Sequence, residues 1–247
     1  MIEIKEVYYS YSEEVALNNI NLAINKGEAV ALLGPNGSGK STLLKLMNGI
    51  ISPSRGTYKF NNEEITEKRL RDNRFAKELH QKIGFIFQNS DTQLFCSNVY
   101  DEIAFGPRQM GISESEVEKR VEDCLELLSI DKLKDKTPYH LSGGEKRKVA
   151  IACVLSLNPE VLVLDEPMNG LDPRTQRWLV EFLTRLNKAG KTLITSTHNL
   201  ELVHEISNRA ILFDETHSIV ADMPTNKLLE DVELLKKVNL VDPFYKR

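Results

Sequence analysis

Residues 34–42 read Gly-Pro-Asn-Gly-Ser-Gly-Lys-Ser-Thr, the G-x-x-x-x-G-K-S spacing of a loop that wraps a chain of phosphates. Glycines let such a loop turn tightly, so that successive N–H groups point inward at phosphate oxygens. A helix beginning at the end of the loop adds its positive N-terminal end. Lys40 brings a full charge toward the β- and γ-phosphates, and Ser41 offers a hydroxyl to Mg²⁺. Gly34, Asn36, Gly37, Ser38, Gly39, Lys40, Ser41 and Thr42 are therefore the candidate nucleotide contacts. A second motif, Val161-Leu162-Val163-Leu164-Asp165-Glu166, supplies the complementary chemistry. An apolar strand there delivers Asp165 to the magnesium side of the phosphates. Glu166 follows directly and can orient and deprotonate an attacking water. The phosphate loop, set between a buried strand and a helix, already points to a nucleoside triphosphatase; the second motif is weak evidence alone and becomes strong when paired with it.

Leu141-Ser142-Gly143-Gly144-Glu145 carries two compatible readings. Ser142 and Glu145 form an S-x-x-E capping box for the helix that follows. A glycine-rich helix start with exposed N–H groups is also an anion site. One domain has no need of two phosphate-binding helix ends for one nucleotide. The second end is expected to serve a nucleotide held by another copy.

The elements that must hold these groups follow from periodicity. Ile2, Ile4 and Val7, then Ile20, Leu22 and Ile24, alternate as in half-buried strands. Ala29 to Leu33 is a short apolar run suited to a strand buried on both faces, and the phosphate loop follows it. Ser41 to Ile50 reads as a helix. Thr57 to Phe60 and Ile83 to Phe87 read as strands, and the charged run from Lys68 to Lys82 as a solvated helix or loop. Val117, Val121, Leu125 and Leu128 recur at helical spacing behind Ser113, a candidate cap. Beyond a helix over 142–157, strands at 161–164, 192–196, 210–213 and 218–221 alternate with helices at 174–189 and 200–207; Asn226 to Val238 is expected as one terminal helix. Alternating strands and helices imply an α/β fold with a mainly parallel sheet. The β-rich start reads as an added antiparallel layer, and 97–157 as an inserted α-helical subdomain. A tail completes 226–247.

Composition narrows the setting. The chain has 247 residues, of which 41% are hydrophobic, enough for one large core without disulfides or metal. A net charge of −4 offers no electrostatic argument for nucleic acid as a partner. Cys96, Cys124 and Cys153 are scattered, with no C-x-x-C pair, and read as small buried hydrophobes in a reducing compartment. The N-terminal stretch lacks the pattern of a signal peptide. No apolar run reaches the ~18 residues of a membrane helix, so any membrane role requires another chain.

Taken in order, these motifs resemble the ATP-binding cassette (ABC) ATPases over almost the whole chain, as a single domain spanning 1–247 with a P-loop nucleoside triphosphatase fold. Leu141 to Glu145 stands where that family has its signature motif. Tyr11 matches the aromatic that stacks on adenine, Gln88 the Q-loop glutamine near the metal and the attacking water, Gly170-Leu171-Asp172 the D-loop, and His198 the switch histidine at the γ-phosphate. The resemblance implies a head-to-tail dimer holding two ATP molecules with Mg²⁺, each between Lys40 of one copy and Ser142, Gly143 and Gly144 of the other. Both kinds of half-site in one chain favour a homodimer, and the absence of N-K-x-D agrees with ATP over GTP.

Phe87-Gln88-Asn89-Ser90-Asp91-Thr92-Gln93-Leu94-Phe95 and Val99 to Pro107 are similar to the energy-coupling factor importers, most of all their cobalt/nickel-type ATPases. His198 to Val203 and Ile219 to Asp222 share that likeness. In that family this region receives helices of a transmembrane coupling subunit, which in turn contacts a substrate-binding membrane subunit. The resemblance implies a peripheral protein on the cytoplasmic face of the membrane. Ser90, Met168, Asn199 and Glu215-Thr216-His217 depart from the usual pattern, none of them at a phosphate-contacting position. The solute stays open between cobalt, nickel and a vitamin, and a soluble ABC ATPase is the competing class. Leu94, Phe95 and Phe105 read equally well as local core.

Overall fold

The N-terminal residues form a hairpin of β1 (Ile2–Tyr11) and β2 (Glu14–Ile24), with Ile2, Ile4, Val7, Ile20, Leu22 and Ile24 turned into the core. This is a computed structural model, and it describes residues 1–242. The last five residues of the expected tail, 243–247, lie outside the described residues. All five residues of β3 (Ala29–Leu33) are buried, and β3 runs through the glycine-rich loop into α1 (Lys40–Met47). Then β4 (Arg55–Phe60) and β5 (Glu63–Glu64) return to the hairpin, completing an antiparallel sheet in the order β2-β1-β4-β5.

Tyr58 of β4 fastens that sheet to the nucleotide-side helix. Its ring is fully buried, and its hydroxyl donates to the Met47 carbonyl at the end of α1, 2.5 Å away. Tyr58→Phe leaves that carbonyl without its partner at unchanged packing. The expected cost is about 1–3 kcal/mol, seen as a lower urea midpoint with the slope preserved.

The charged run folds as two short helices, α2 (Glu67–Leu70) and α3 (Asn73–Lys82), capped by Thr66 and Asp72. The charges face water, while Leu70, Phe75 and Leu79 pack on the core beneath. After β6 (Ile83–Ile86) come α4 (Val99–Gln109), α5 (Glu114–Leu128) and α6 (Gly143–Leu155), which share a core that includes Ile103, Val117, Val121, Leu125 and Val149. Ser113 occupies the cap position of α5, but among the described residues its hydroxyl accepts no backbone N–H of the helix and instead shares a hydrogen bond with the Ser115 hydroxyl, 3.4 Å away. Glu114 and Glu116 instead place negative charge on the positive helix end. Arg108, bonded to both Glu114 and Asp101, ties the end of α4 to the start of α5.

The remaining chain alternates: β7 (Val161–Asp165), α7 (Pro173–Lys188), β8 (Thr192–Ser196), α8 (Leu200–Ile206), β9 (Arg209–Phe213) and β10 (Ile219–Pro224). Among the described residues, the second sheet has six strands in the order β10-β9-β3-β8-β7-β6. Every neighbouring pair is parallel except β10 with β9. The C-terminal ends of β3, β6, β7 and β8 therefore open on one edge, where ligands of parallel sheets bind.

The single terminal helix expected over 226–238 is in fact two, α9 (Thr225–Glu230) and α10 (Val232–Lys237). Asp231 leaves the helical conformation at ψ 75°, and its carboxylate accepts from Leu234 N–H, starting a new helix where the old one ended. The cysteines are free; Cys124 is buried, whereas Cys96 and Cys153 are only partly so.

Candidate active site

The phosphate loop is braced from below. Gly39 sits at φ +104°, and a Cβ there would lie 2.3 Å from the Ala16 carbonyl of β2, so only glycine allows the loop to press on the hairpin. The Lys40 side chain is buried to 5% exposure. Its ammonium donates to the carbonyls of Gly34 (2.7 Å) and Pro35 (2.8 Å) and has no carboxylate within 4.0 Å among the described residues. Burial pushes its pKa below that of an ordinary lysine, against the opposing pull of Glu166 and Asp165. The Ser38 hydroxyl beside it is buried without a partner among the described residues. A buried cation held only by carbonyls, next to an unsatisfied hydroxyl, fits phosphate oxygens.

Asp165, the last residue of β7, accepts at one oxygen from Ser41 (2.9 Å) and Ser196 (2.6 Å). Ser41 and Asp165 thus present two hard oxygens side by side, the donor set that suits Mg²⁺. Glu166 follows at φ +42°, a left-handed conformation rare for a non-glycine residue. Its N–H donates to the Ser196 carbonyl and hydroxyl. One carboxylate oxygen lies 2.9 Å from His198 Nδ1, and the other is buried with no partner among the described residues. Gln88, Glu166, Asn169 and His198 close a cleft of about 360 Å³ over the loop.

Ser142, Gly143, Gly144 and Asp172 are elsewhere. They line a second cleft, of about 880 Å³, that shares no lining residue with the first. The capping box is complete: Ser142 N–H donates to the Glu145 carboxylate (2.8 Å), and Glu145 N–H to the Ser142 hydroxyl (3.3 Å). A Cβ on Gly144 would stand 2.9 Å from the Thr175 hydroxyl, so glycine lets α6 approach α7. Thr175 in turn donates to Asp172, which caps α7. The expected signature and D-loop residues are brought together, but not onto the phosphate loop of the same chain. Tyr11 ends β1, exposed, its ring packed edge-on against Tyr9 at 4.9 Å, and does not line the phosphate cleft.

Residues 17–169 match the sequence profile of the ABC transporter family. The chain belongs to that family. This ATPase is 48% identical to the nickel import ATP-binding protein LarO of Lactiplantibacillus plantarum, over 90% of this chain and 92% of that one. It is 42% identical to the energy-coupling factor transporter ATP-binding protein EcfA of Methanococcus maripaludis, over 97% of this chain and 85% of the relative. Among solved structures, CbiO1 of Clostridium perfringens, described as part of the ABC transporter complex cbiONQ, superposes with a TM-score of 0.83 at 37% identity, covering 98% of this chain and 95% of that one. The protein is an ATPase that uses ATP with Mg²⁺, in the P-loop fold with its antiparallel layer.

Two residues of the ATPase were not singled out in the sequence. Ser196 organises the site by bonding Asp165 and the Glu166 backbone at once, and Asn169 lines the phosphate cleft. A hydroxyl ending an apolar strand two residues before His198 was the available signal for Ser196.

Beside the Q-loop the ATPase exposes an aromatic pair. Phe95 is 67% exposed and Phe105 42%, with their rings edge-to-face at 4.9 Å; they are not local core. Leu94 packs against the core. Glu102, 3% exposed, accepts from the N–H groups of Phe95 and Cys96 and so holds this loop in place. Burial raises its pKa. Among the described residues, no helix is long and apolar enough to cross a membrane.

Proposed function

We propose that this ATPase powers an energy-coupling factor importer for nickel or cobalt ions, working as a homodimer docked on a transmembrane coupling subunit. The observation that carries the two-copy reading is the pair of clefts with no shared residue: one holds Lys40 and Glu166, the other the signature glycines. Two copies arranged head to tail would bring each kind of cleft against the other. The relatives named for nickel import and energy coupling support the importer class.

In this reading Lys40 and the N–H groups of residues 34–42 hold the phosphates, and Tyr11 stacks on adenine. Ser41, Asp165 and Gln88 hold Mg²⁺, which when bound neutralises phosphate charge. Glu166 uses its unpartnered oxygen to accept a proton from the attacking water, while His198 fixes the other oxygen. His198 also turns toward the γ-phosphate, where charge develops in the transition state. Ser142, Gly143 and Gly144 of the second copy complete the cradle, and Asp172 meets its counterpart across the interface. Closure on ATP and reopening after hydrolysis then drive the membrane subunits, through the surface from Gln88 to Pro107.

Phe95 and Phe105 are the expected anchors for that contact. Replacing both by Ser removes about 1.5–3 kcal/mol of apolar burial per ring. Recovery of the ATPase with its membrane partner is expected to fall at least about tenfold, with ATP affinity retained. Purification from membranes, followed by nickel and cobalt uptake in cells with and without the chain, tests the whole reading. Recovery with soluble partners alone would refute the importer assignment; uptake of a vitamin instead would refute only the metal.

A further inference from the structure

Arg147 lies on α6, four residues after Gly143, and is 3% exposed. No carboxylate lies within 4.0 Å of its guanidinium among the described residues, so it is a buried cation without a counter-ion. Its partners are two consecutive carbonyls of the Q-loop. One nitrogen donates to Phe87 at 2.6 Å and another to Gln88 at 2.6 Å, while Nε is buried and has no partner among the described residues. Burying an uncompensated charge is costly. Its position is explained only by what the fork grips: the two carbonyls bracket the Gln88 residue and thereby set where its side chain leaves the backbone.

The other end of the same lever is the signature motif. Just over one helical turn separates Arg147 from the capped start of α6, where Ser142, Gly143 and Gly144 line the second cleft. Next to Arg147, Lys146 reaches Asp91 of the Q-loop at 2.6 Å and reinforces the join at the surface. Gln88 lines the phosphate cleft. One rigid helix is therefore bonded at one point to the glutamine of its own ATP cleft, and at its tip presents the groups that face the other.

We infer that Arg147 is a positioning residue that ties the placement of Gln88 in one ATP cleft to the presentation of Ser142–Gly144 to the other, making the two sites of a dimer act together. This rests on the two-copy reading above. Arg147 touches no substrate; it acts through the Gln88 backbone. A lysine at 147 keeps a cation but, as a point charge on a flexible stem, cannot present a planar fork to two adjacent carbonyls.

The test uses the full chain with Arg147→Lys and Arg147→Gln, each also combined with Glu166→Gln. ATP affinity, measured with a fluorescent analogue, is expected to stay within about twofold, because the phosphate loop is untouched. Turnover is expected to fall about tenfold or more, as misplacement of a group by an ångström costs up to about 10²-fold, and the Hill coefficient for ATP to fall toward one. In the Glu166→Gln background, MgATP is expected to produce less dimer once Arg147 is replaced. Lys at 147 retaining full turnover and cooperativity would overturn the inference. So would a parallel loss of affinity, turnover and melting temperature in both variants, which marks a purely structural role. If Glu166→Gln alone stays monomeric with MgATP, the two-copy reading fails; if it dimerises equally with and without Arg147, only the present inference fails.

Discussion

Glu166→Gln is expected to lower ATP turnover about 10²–10⁴-fold, the range contributed by a positioned general base, while ATP binding persists. The substitution is close to isosteric. Its amide oxygen can still accept from His198, and the backbone N–H still reaches Ser196. What it removes is the basicity of the buried oxygen that has no partner among the described residues. The neutral amide also relieves the burial of charge at that oxygen, so thermal stability is expected to hold or rise slightly. With binding intact and hydrolysis blocked, MgATP is expected to accumulate a closed dimer on size exclusion. Phosphate release at the normal rate would remove Glu166 from the role of base.

Lys40→Met is expected to weaken ATP binding by about 2–5 kcal/mol, the cost of truncating one side of a buried charged contact, which is roughly 30- to 4000-fold in affinity. The nucleotide-free protein is expected to show no matching loss. Its ammonium is buried against two carbonyls without an ion pair, and a hydrophobe of similar length removes that burden. Calorimetric titration and thermal melting on the same sample separate the two effects.

The pH dependence should carry the same opposition. Burial lowers the Lys40 pKa in the folded, nucleotide-free protein, despite Glu166 and Asp165 nearby. Between that lowered value and the ordinary lysine value, the unfolded chain binds more protons, so this group's contribution to stability rises with pH. ATP prefers the protonated amine, so affinity falls over the same alkaline window. Tyr58, whose buried hydroxyl is pushed up, contributes the reverse slope. Subtracting the Lys40→Met profile, in which Tyr58 is unchanged, isolates the lysine.

Much of the architecture was legible because its residues are local and periodic. The buried run Ala29–Leu33 leading to G-x-x-x-x-G-K-S, and Val161–Leu164 ending in Asp165-Glu166, identify strand, loop and carboxylates by neighbours in the chain. The helix ends were less legible. Ser113 occupies a cap without capping, pairing with the Ser115 hydroxyl, and Asp231 splits the terminal helix by bonding its local backbone, because a short polar side chain has more than one local partner within reach. Burial of single aromatics was not legible at all. Phe95 and Phe105 have the composition of core, yet Glu102 holds the Phe95 loop by bonds from the Phe95 and Cys96 N–H groups, which leaves its ring exposed against Phe105 of α4, an arrangement only the folded chain brings together.

By itself the sequence determined which groups are present: a G-x-x-x-x-G-K-S loop at 34–42, a carboxylate pair at 165–166 and a second glycine-rich helix start at 142–144. Those are short-range facts, written in side-chain type and spacing. Only the tertiary structure decided how they are shared out. Parallel strand order sets Ser41, Asp165 and Ser196 within hydrogen-bond reach across more than a hundred residues of chain, and packing of α6 on α7 carries the signature glycines to a different cleft. Spacing along a chain fixes which groups exist, but separation in space depends on sheet order and close packing, which no local pattern encodes.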